Sequence, residues 1–261
     1  MTLPIEHLSY SSISSYMTCG KAWKYRYIDK VQAPTSPTLI IGSTVHDTVE
    51  EIIRSRTLGT YGVDSAEFAT KRLSERLLTA DLPVDGPEAE NAKNDVLRFF
   101  TNPYILSELY NITAKVDDAG PMIERKVTLE VPEVEIPIIG YIDIILSNGI
   151  PADFKTSAKS WTQEKAEAEL QPVFYLGAMQ QMGIPMNWEF WHIVLVKTKQ
   201  PKFQILKHHH WKAEVDRLME QVQTVWKSIN AGIFMPAAPG SWKCSSKWCE
   251  YYDLCHGSNH G

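Results

Sequence analysis

The 261-residue chain has no excess of basic charge: 26 lysines and arginines stand against 31 aspartates and glutamates, a formal net charge of −5. That balance disfavours a protein that grips nucleic acid by bulk charge alone, but not one whose acids hold cations. No apolar run approaches the roughly 18 residues of a membrane span. The start of the chain lacks the basic head and apolar stretch of a signal peptide, so the expected compartment is the cytosol. Repeats and low-complexity tracts are absent. Cysteine is scarce, with four in all, and in a cytosolic chain these read as metal ligands or free thiols rather than disulfides. What is present is a composition 44% hydrophobic and 22% charged. This argues against disorder, and the length suffices for one large domain or two small ones.

The first third has helical patterning. Ser9, Ser11 and Ser12 offer N-caps for a helix running toward Cys19. Gly42-Ser43-Thr44-Val45-His46 opens another, with Val45, Val49, Ile52 and Ile53 at helical spacing. Two further helices are expected at 64–80 and 88–110, with breaks at Gly59–Tyr61 and Leu82–Pro87. Strand composition follows at Met122–Val131, Glu135–Leu146 and Ile150–Thr156. A helix is expected from near Gln171, with Pro172 in its first turn. Two more strands, Trp188–Lys197 and Phe203–His208, precede an amphipathic helix with Val215, Leu218, Met219, Val222, Val225, Trp226 and Ile229 on one stripe. A polar tail rich in Cys and Trp begins at Pro236. The pattern describes an α/β fold: a mainly helical part over 1–115, a mixed-sheet core over 116–235 and a tail over 236–261.

Chemistry concentrates in one hairpin. Gly140-Tyr141-Ile142-Asp143-Ile144-Ile145-Leu146 and Ile150-Pro151-Ala152-Asp153-Phe154-Lys155-Thr156 flank Ser147-Asn148-Gly149. Charges inside such apolar strands are costly unless paired or metal-bound. Asp153 and Lys155 are two apart and share a face. A two-residue Asn148-Gly149 loop would set Asp143 opposite Phe154. A three-residue loop pairs Leu146 with Ile150, sets Asp143 opposite Asp153, and needs a left-handed residue where Gly149 stands. The three-residue loop is the expected one. Two facing carboxylates suit a hard cation such as Mg²⁺ or Mn²⁺, and a neighbouring lysine suits an attacking water or a phosphate. An ordinary Asp–Lys pair on a solvated strand is the alternative.

In these residues the sequence resembles the PD-(D/E)XK nuclease superfamily, in its RecB-like branch. Asp143 followed by Asp153-Phe154-Lys155 matches the paired-acid and lysine motif. His46 matches an upstream helical histidine, Gln171 and Tyr175 a downstream Gln-x3-Tyr, and Glu124 an acid on the preceding strand. The resemblance implies a core of mixed central sheet flanked by helices. It implies that His46, Asp143, Asp153 and the Phe154 carbonyl hold one or two Mg²⁺ or Mn²⁺ ions, and that Lys155 serves the attacking water. Gln171 and Tyr175, on one helical face, would hold a phosphate of the scissile strand or the lysine. Glu124 competes with Glu130 and Glu133 for its role.

The cysteines fall as one plus three: Cys19, then Cys244, Cys249 and Cys255. Thiolate sets of this kind hold zinc or an iron–sulfur cluster, and His256 is a spare zinc ligand. The order resembles AddB-type nuclease domains and the Cas-four-type exonucleases of CRISPR adaptation, in which such a set holds a [4Fe–4S] cluster. The gap between Cys244 and Cys249 is wider than is common there. The implied cluster would tie the tail to the first helix and make 1–261 one closed unit.

Three other features stand out. His208-His209-His210 is expected as an exposed turn or a phosphate contact. Lys197, Lys199, Lys202, Lys207 and Lys212 form either a phosphate-tracking patch or a solvated face. Trp23, Tyr25 and Tyr27 among Lys21, Lys24, Arg26 and Lys30 suit stacking on single-stranded DNA or packing onto the core. The resulting expectation is a metal-dependent DNA exonuclease for single-stranded or end-containing DNA, in recombination, repair or CRISPR adaptation, within a bacterial, archaeal or virus-infected cell. A non-catalytic DNA-binding subunit and a structure-specific endonuclease are its rivals.

Overall fold

The computed structural model describes residues 5–33, 37–60 and 62–257. Tyr61, in the expected Gly59–Tyr61 break, and the last residues of the tail lie outside them. After β1 (Leu8–Ser9) come α1 (Tyr10–Thr18), α2 (Gly20–Tyr27), α3 (Pro37–Leu58), α4 (Ser65–Thr79), α5 (Pro87–Phe100) and α6 (Pro103–Tyr110). A short hairpin, β2 (Val116–Asp117) with β3 (Gly120–Pro121), leads to β4 (Ile123–Leu129), β5 (Ile138–Ile145) and β6 (Pro151–Ser157). Then follow α7 (Gln163–Glu167), α8 (Gln171–Gln181), β7 (Glu189–Val196), β8 (Lys202–His209), α9 (Lys212–Asn230) and α10 (Tyr252–His256). The fold is α/β, with a mixed central sheet flanked by helices. Its strand order is β1-β5-β6-β7-β8, with β4 also on β5. β1–β5 and β6–β7 are parallel, whereas β5–β6 and β7–β8 are antiparallel.

Local chemistry explains most boundaries. Ser9 caps α1 by accepting the Ser12 amide at 3.0 Å. The helix expected over 88–110 is two helices, because Asn102 caps α6 through the amides of Tyr104 and Ile105 and Pro103 has no N–H with which to continue α5. α3 starts at Pro37 rather than Gly42, because Ile41 extends the Val45–Val49 stripe by one turn. α8 begins at Gln171 with Pro172 in its first turn. In α9 the expected stripe is buried except for Met219, which is half-exposed.

Contacts divide the chain into two compact units that interleave in sequence. One comprises Met1–Pro34, Val127–Gly140 and Lys212–Gly261; the other comprises Thr35–Lys126 and Tyr141–Trp211. In the second unit, Val49, Ile53, Val96, Phe99, Ile105 and Leu109 pack with Ile144, Ala152, Phe154, Ile193 and Leu195 of the sheet. Apart from Ala152, each such side chain contributes about 1.5–3 kcal/mol through burial. In the first unit, Trp23 is fully buried between Tyr16 and Phe234 and donates its indole N–H to Ser12 Oγ at 3.0 Å. The packing alternative therefore holds for that aromatic. Gly20 permits the close approach of this segment, since a Cβ there would meet the Met235 backbone at 3.0 Å.

The β5–β6 turn has three residues. Leu146 N–H donates to the Ile150 carbonyl at 2.9 Å, Gly149 N–H to the Leu146 carbonyl at 2.7 Å, and Ile144 pairs with Ala152. Gly149 takes φ +86°, in the left-handed region, and Asn148 Oδ1 accepts the Ile150 amide at 3.1 Å. The ladder ends there, and its register carried one residue on sets Asp143 opposite Asp153, close enough for the two charges to interact.

The expected exposure of the histidine run holds only for His209. His208 and His210 are buried, because β8 continues through His209 and turns alternate side chains inward. His192 of β7 meets His208 at 2.9 Å, and His208 meets His210 at 2.8 Å. Burial, followed by the charges of His208 and Lys155, pushes the His192 imidazole down to about 3.

Two outcomes follow. Gly149→Val forces a β-branched residue into a left-handed turn and is expected to destabilise by about 1–2 kcal/mol in urea unfolding. The neutral His192 contributes stability that is complete above its unfolded value of about 6.5 and is lost as pH falls toward about 3. Unfolding free energy measured at pH 7 and pH 5 should therefore drop more steeply for wild type than for His192→Phe. One proton gives at most about 1.4 kcal/mol per pH unit.

Candidate metal centre and active site

The site lies within the second unit, where the hairpin puts its charges on one face. Asp143 and Asp153 are 7% and 2% exposed, so neither carboxylate is solvated. Asp143 Oδ2 accepts the Phe154 amide at 2.7 Å, which fixes it across the strand pair. Asp153 Oδ2 is buried and pairs with Lys155 Nζ at 2.7 Å.

α8 holds the lysine. Lys155 Nζ donates to Gln171 Oε1 at 2.8 Å, Gln171 Nε2 donates to Tyr175 Oη at 2.9 Å, and Tyr175 Oη donates to the Tyr141 carbonyl at 2.6 Å. Spacing of four residues puts Gln171 and Tyr175 on one helical face. Between the phosphate and the lysine, the two alternatives for this pair, the contacts run to the lysine. Tyr175 is buried and stacks on Phe190 at 6.1 Å.

α3 supplies the third side. His46 Nε2 lies 3.0 Å from Asp143 Oδ2 and 3.7 Å from Glu124 Oε1, and its Nδ1 lies 2.6 Å from Glu50 Oε1. His46, Glu50 and Glu124 offer ligand atoms within 4.8 Å of one another. Glu50 is absent from the motif reading. Its only signal was the spacing His46-x3-Glu50, which puts both on one helical face. Glu124, rather than Glu130 or Glu133, joins the cluster, and it takes φ +53° at the second residue of β4. A non-glycine residue in that region costs about 1–2 kcal/mol, so the strand carries strain where its carboxylate turns toward His46.

Like charge dominates the electrostatics: among the described residues, Glu50, Glu124, Asp143 and Asp153 outnumber the bases they meet, His46 and Lys155. Burial, then the Asp143 charge, pushes Asp153 up to about 7. Burial, then Glu50 and Asp143, pushes Glu124 up to about 7 as well. Burial alone would lower His46, but hydrogen bonds to Asp143 and Glu50 carry it up to about 11. Burial also opposes the Lys155 ammonium, yet the charges of Asp153 and Asp143 hold it above the ordinary lysine range. Oxygen donors in surplus, one imidazole and two buried carboxylates are what a hard divalent ion satisfies. Phe154, whose carbonyl the motif makes a further ligand, lies between the two motif residues on β6.

The four cysteines belong to the first unit, and each is free and half-buried. Burial raises the Cys249 thiol. Cys19 also caps α2, its Sγ accepting the Ala22 amide at 3.4 Å. The lysine patch is largely occupied: Lys197 pairs with Asp95, Lys207 sits over Trp191 and Lys212 pairs with Asp216.

The sequence model of the PD-(D/E)XK nuclease superfamily matches residues 7–256. No curated protein matches the chain significantly. The crystal structure of a candidate exonuclease from Eubacterium rectale shares the fold, with a TM-score of 0.55 at 14% identity over 92% of this chain and 86% of that one. The crystal structure of SSO0001 aligns over 96% of both chains at 13% identity, but its TM-score of 0.36 is too low to bear on the fold. Since the family match runs through both compact units and includes the whole acid–lysine hairpin, the chain belongs to the PD-(D/E)XK nuclease superfamily.

Proposed function

We propose that the chain is a divalent-metal-dependent DNA exonuclease that hydrolyses phosphodiester bonds of single-stranded or end-containing DNA. Nucleases of this superfamily generally use Mg²⁺ or Mn²⁺ and act on DNA. The observation that supports the reading most is the contact set of the hairpin: Asp143 with His46 and the Phe154 amide, Asp153 with Lys155, and Glu50 and Glu124 beside His46. Asp143, Asp153, His46, Glu124 and the Phe154 carbonyl would hold the ion, with Glu50 beside them. When bound, the ion neutralises charge on the phosphate and acidifies a water for in-line attack. Lys155, steadied by Asp153 and Gln171, orients that water and meets charge on the phosphate. Tyr175 and Gln171 keep the ammonium in place through their chain to the Tyr141 carbonyl. The exonuclease named among the fold relatives agrees with action at DNA ends.

The cysteines belong to the same proposal: Cys19, Cys244, Cys249 and Cys255 would hold a [4Fe–4S] cluster, with zinc as the alternative occupant. Their membership of one compact unit, Cys19 ahead of the nuclease residues and three in the tail, supports this. Recombination, repair or CRISPR adaptation would supply the DNA ends, in a cytoplasmic setting and with proteins of those processes as partners.

Incubation of the protein with end-labelled single-stranded DNA and Mn²⁺ should give progressive shortening. Asp153→Asn and Lys155→Ala should lower the rate at least 100-fold. Wild type and Lys155→Ala leaving the DNA equally intact would end the enzyme reading, and cleavage of circular single strands would make it an endonuclease. Glu124→Gly should lower Mn²⁺-dependent activity at least 10-fold without loss of stability, because relief of the left-handed strain, about 1 kcal/mol, offsets the glycine entropy. Anaerobically purified protein should absorb near 400 nm, and Cys19→Ser should remove that band as fully as Cys249→Ser does. A colourless, zinc-loaded protein decides for zinc.

A further inference from the structure

The tail presents an aromatic pair that the fold leaves in water. Trp242 and Trp248 are 64% and 58% exposed and meet edge to face, with ring centroids 5.6 Å apart at 88°. Lys243 Nζ lies 5.6 Å from the Trp242 centroid, and Lys247 Nζ lies 5.2 Å from the Trp248 centroid. Both lysines are exposed. The arrangement is fixed by hydrogen-bonded turns. The Cys244 amide donates to the Ser241 carbonyl at 2.9 Å, Ser245 Oγ donates to the Trp242 carbonyl at 3.0 Å, and the Trp248 amide donates to the Ser245 carbonyl at 3.0 Å.

An indole is large and apolar, and an exposed pair of them marks a contact surface. The ammonium beside each ring decides the kind of partner. A purely apolar groove on another protein would have no use for two cations there. A chain that alternates flat π-faces with negative charges uses both, and single-stranded DNA is such a chain. The same unit adds basic side chains: the stretch 19–31 holds Lys21, Lys24, Arg26 and Lys30 against the one acid Asp29, which pairs with Lys24. By contrast Trp23, the aromatic at the centre of that stretch, is buried and unavailable.

We propose that Trp242 and Trp248, flanked by Lys243 and Lys247, form a platform on which bases of single-stranded DNA stack while the lysines meet the adjacent phosphates. The proposal rests on the nuclease reading for its choice of ligand and adds a second DNA contact, in a different compact unit from the metal centre.

The test uses the full chain and a 5′-labelled oligo-dT of about 20 nucleotides, enough to span a stacking site. Binding is followed by anisotropy and indole quenching without added divalent ion. Trp242→Ala and Trp248→Ala should each weaken binding about 5- to 100-fold, from the usual cost of a lost base–aromatic stack. Phe at both positions should bind within a few-fold of wild type. Lys243→Ala with Lys247→Ala should flatten the salt dependence by about 1.4 in log–log slope, two phosphate contacts' worth. Iron and zinc are measured in every variant, and the Phe pair reports on stacking if the Ala variants lose metal. Equal affinity of wild type and the double Ala variant overturns the platform. So does a wild type that does not bind oligo-dT, or a metal-replete Phe pair that binds no better than the Ala pair. Cleavage of the same oligonucleotide with Mn²⁺ is read separately: binding without cleavage sinks the nuclease reading and leaves the platform standing.

Discussion

Two carboxylates facing each other in a nearly dry strand pair set the terms for the rest of the second unit. Like charges in that position repel, and burial strengthens the repulsion because little water screens it. Every neighbouring element answers to this. α3 brings His46 to Asp143, β6 places Lys155 beside Asp153, and α8 holds Lys155 through Gln171 and Tyr175. These two bases do not balance the acids once Glu50 and Glu124 are counted. The remaining deficit appears as two carboxylates raised to about 7. A fold under selection only for stability would replace such residues with apolar ones of similar size. Keeping them is intelligible when a cation completes the set.

Much of the centre was legible because hairpin register is arithmetic. A side-chain period of two, a glycine suited to a left-handed turn and two acids at fixed distances from it allow only one loop length that joins them on a face. Gln171 and Tyr175 were legible for the same reason, at helical period. Glu50 was not. An acid on a helix is usually a solvated one, and only the third dimension shows that α3 turns this one inward beside His46. The histidine run misled in the opposite direction. Three consecutive imidazoles look like a polar turn, yet a strand through them buries alternate members, and His192, distant in sequence, supplies the partner that makes burial tolerable. The merging of α5 and α6 into one expected helix gave too little weight to Asn102-Pro103, which caps one helix as it ends another.

The first unit poses a different problem. Its tail has little core: among the described residues from 236 onward, Tyr251 is the one large hydrophobic side chain that is buried. The tail's hydrogen bonds are mostly local turns, with Tyr251 reaching the Val31 carbonyl at 3.4 Å. Local turns alone seldom hold a segment that buries so little. The four cysteines belong to this unit, three of them in the stretch where apolar burial is missing. A covalently bound centre there would restrict the unfolded chain by closing a loop from Cys19 to Cys255, which is the long-loop limit of cross-link stabilisation. Gly20 fits the same picture, because any side chain beside Cys19 would push back the 234–235 backbone that leads into the tail.

Stability is given up in several places, and where it is given up is informative. Glu124 holds a left-handed backbone inside a strand, four acids crowd two bases, and two indoles remain in water. None of these helps the chain fold. Strained backbone persists where the surroundings over-determine it, and here the surroundings are α3 and β5, whose own polar side chains would lose a neighbour if β4 relaxed. The cost at Glu124 is about 1–2 kcal/mol, small against the hydrophobic core of the second unit but a sizeable share of a typical net stability of about 5–15 kcal/mol. Val49, Ile53 and Phe99 pack with Ile144, Ala152 and Phe154, so apolar burial and acid crowding are carried by alternate residues of the same strands. That alternation lets one hairpin serve the core with one set of side chains and the charged centre with the other.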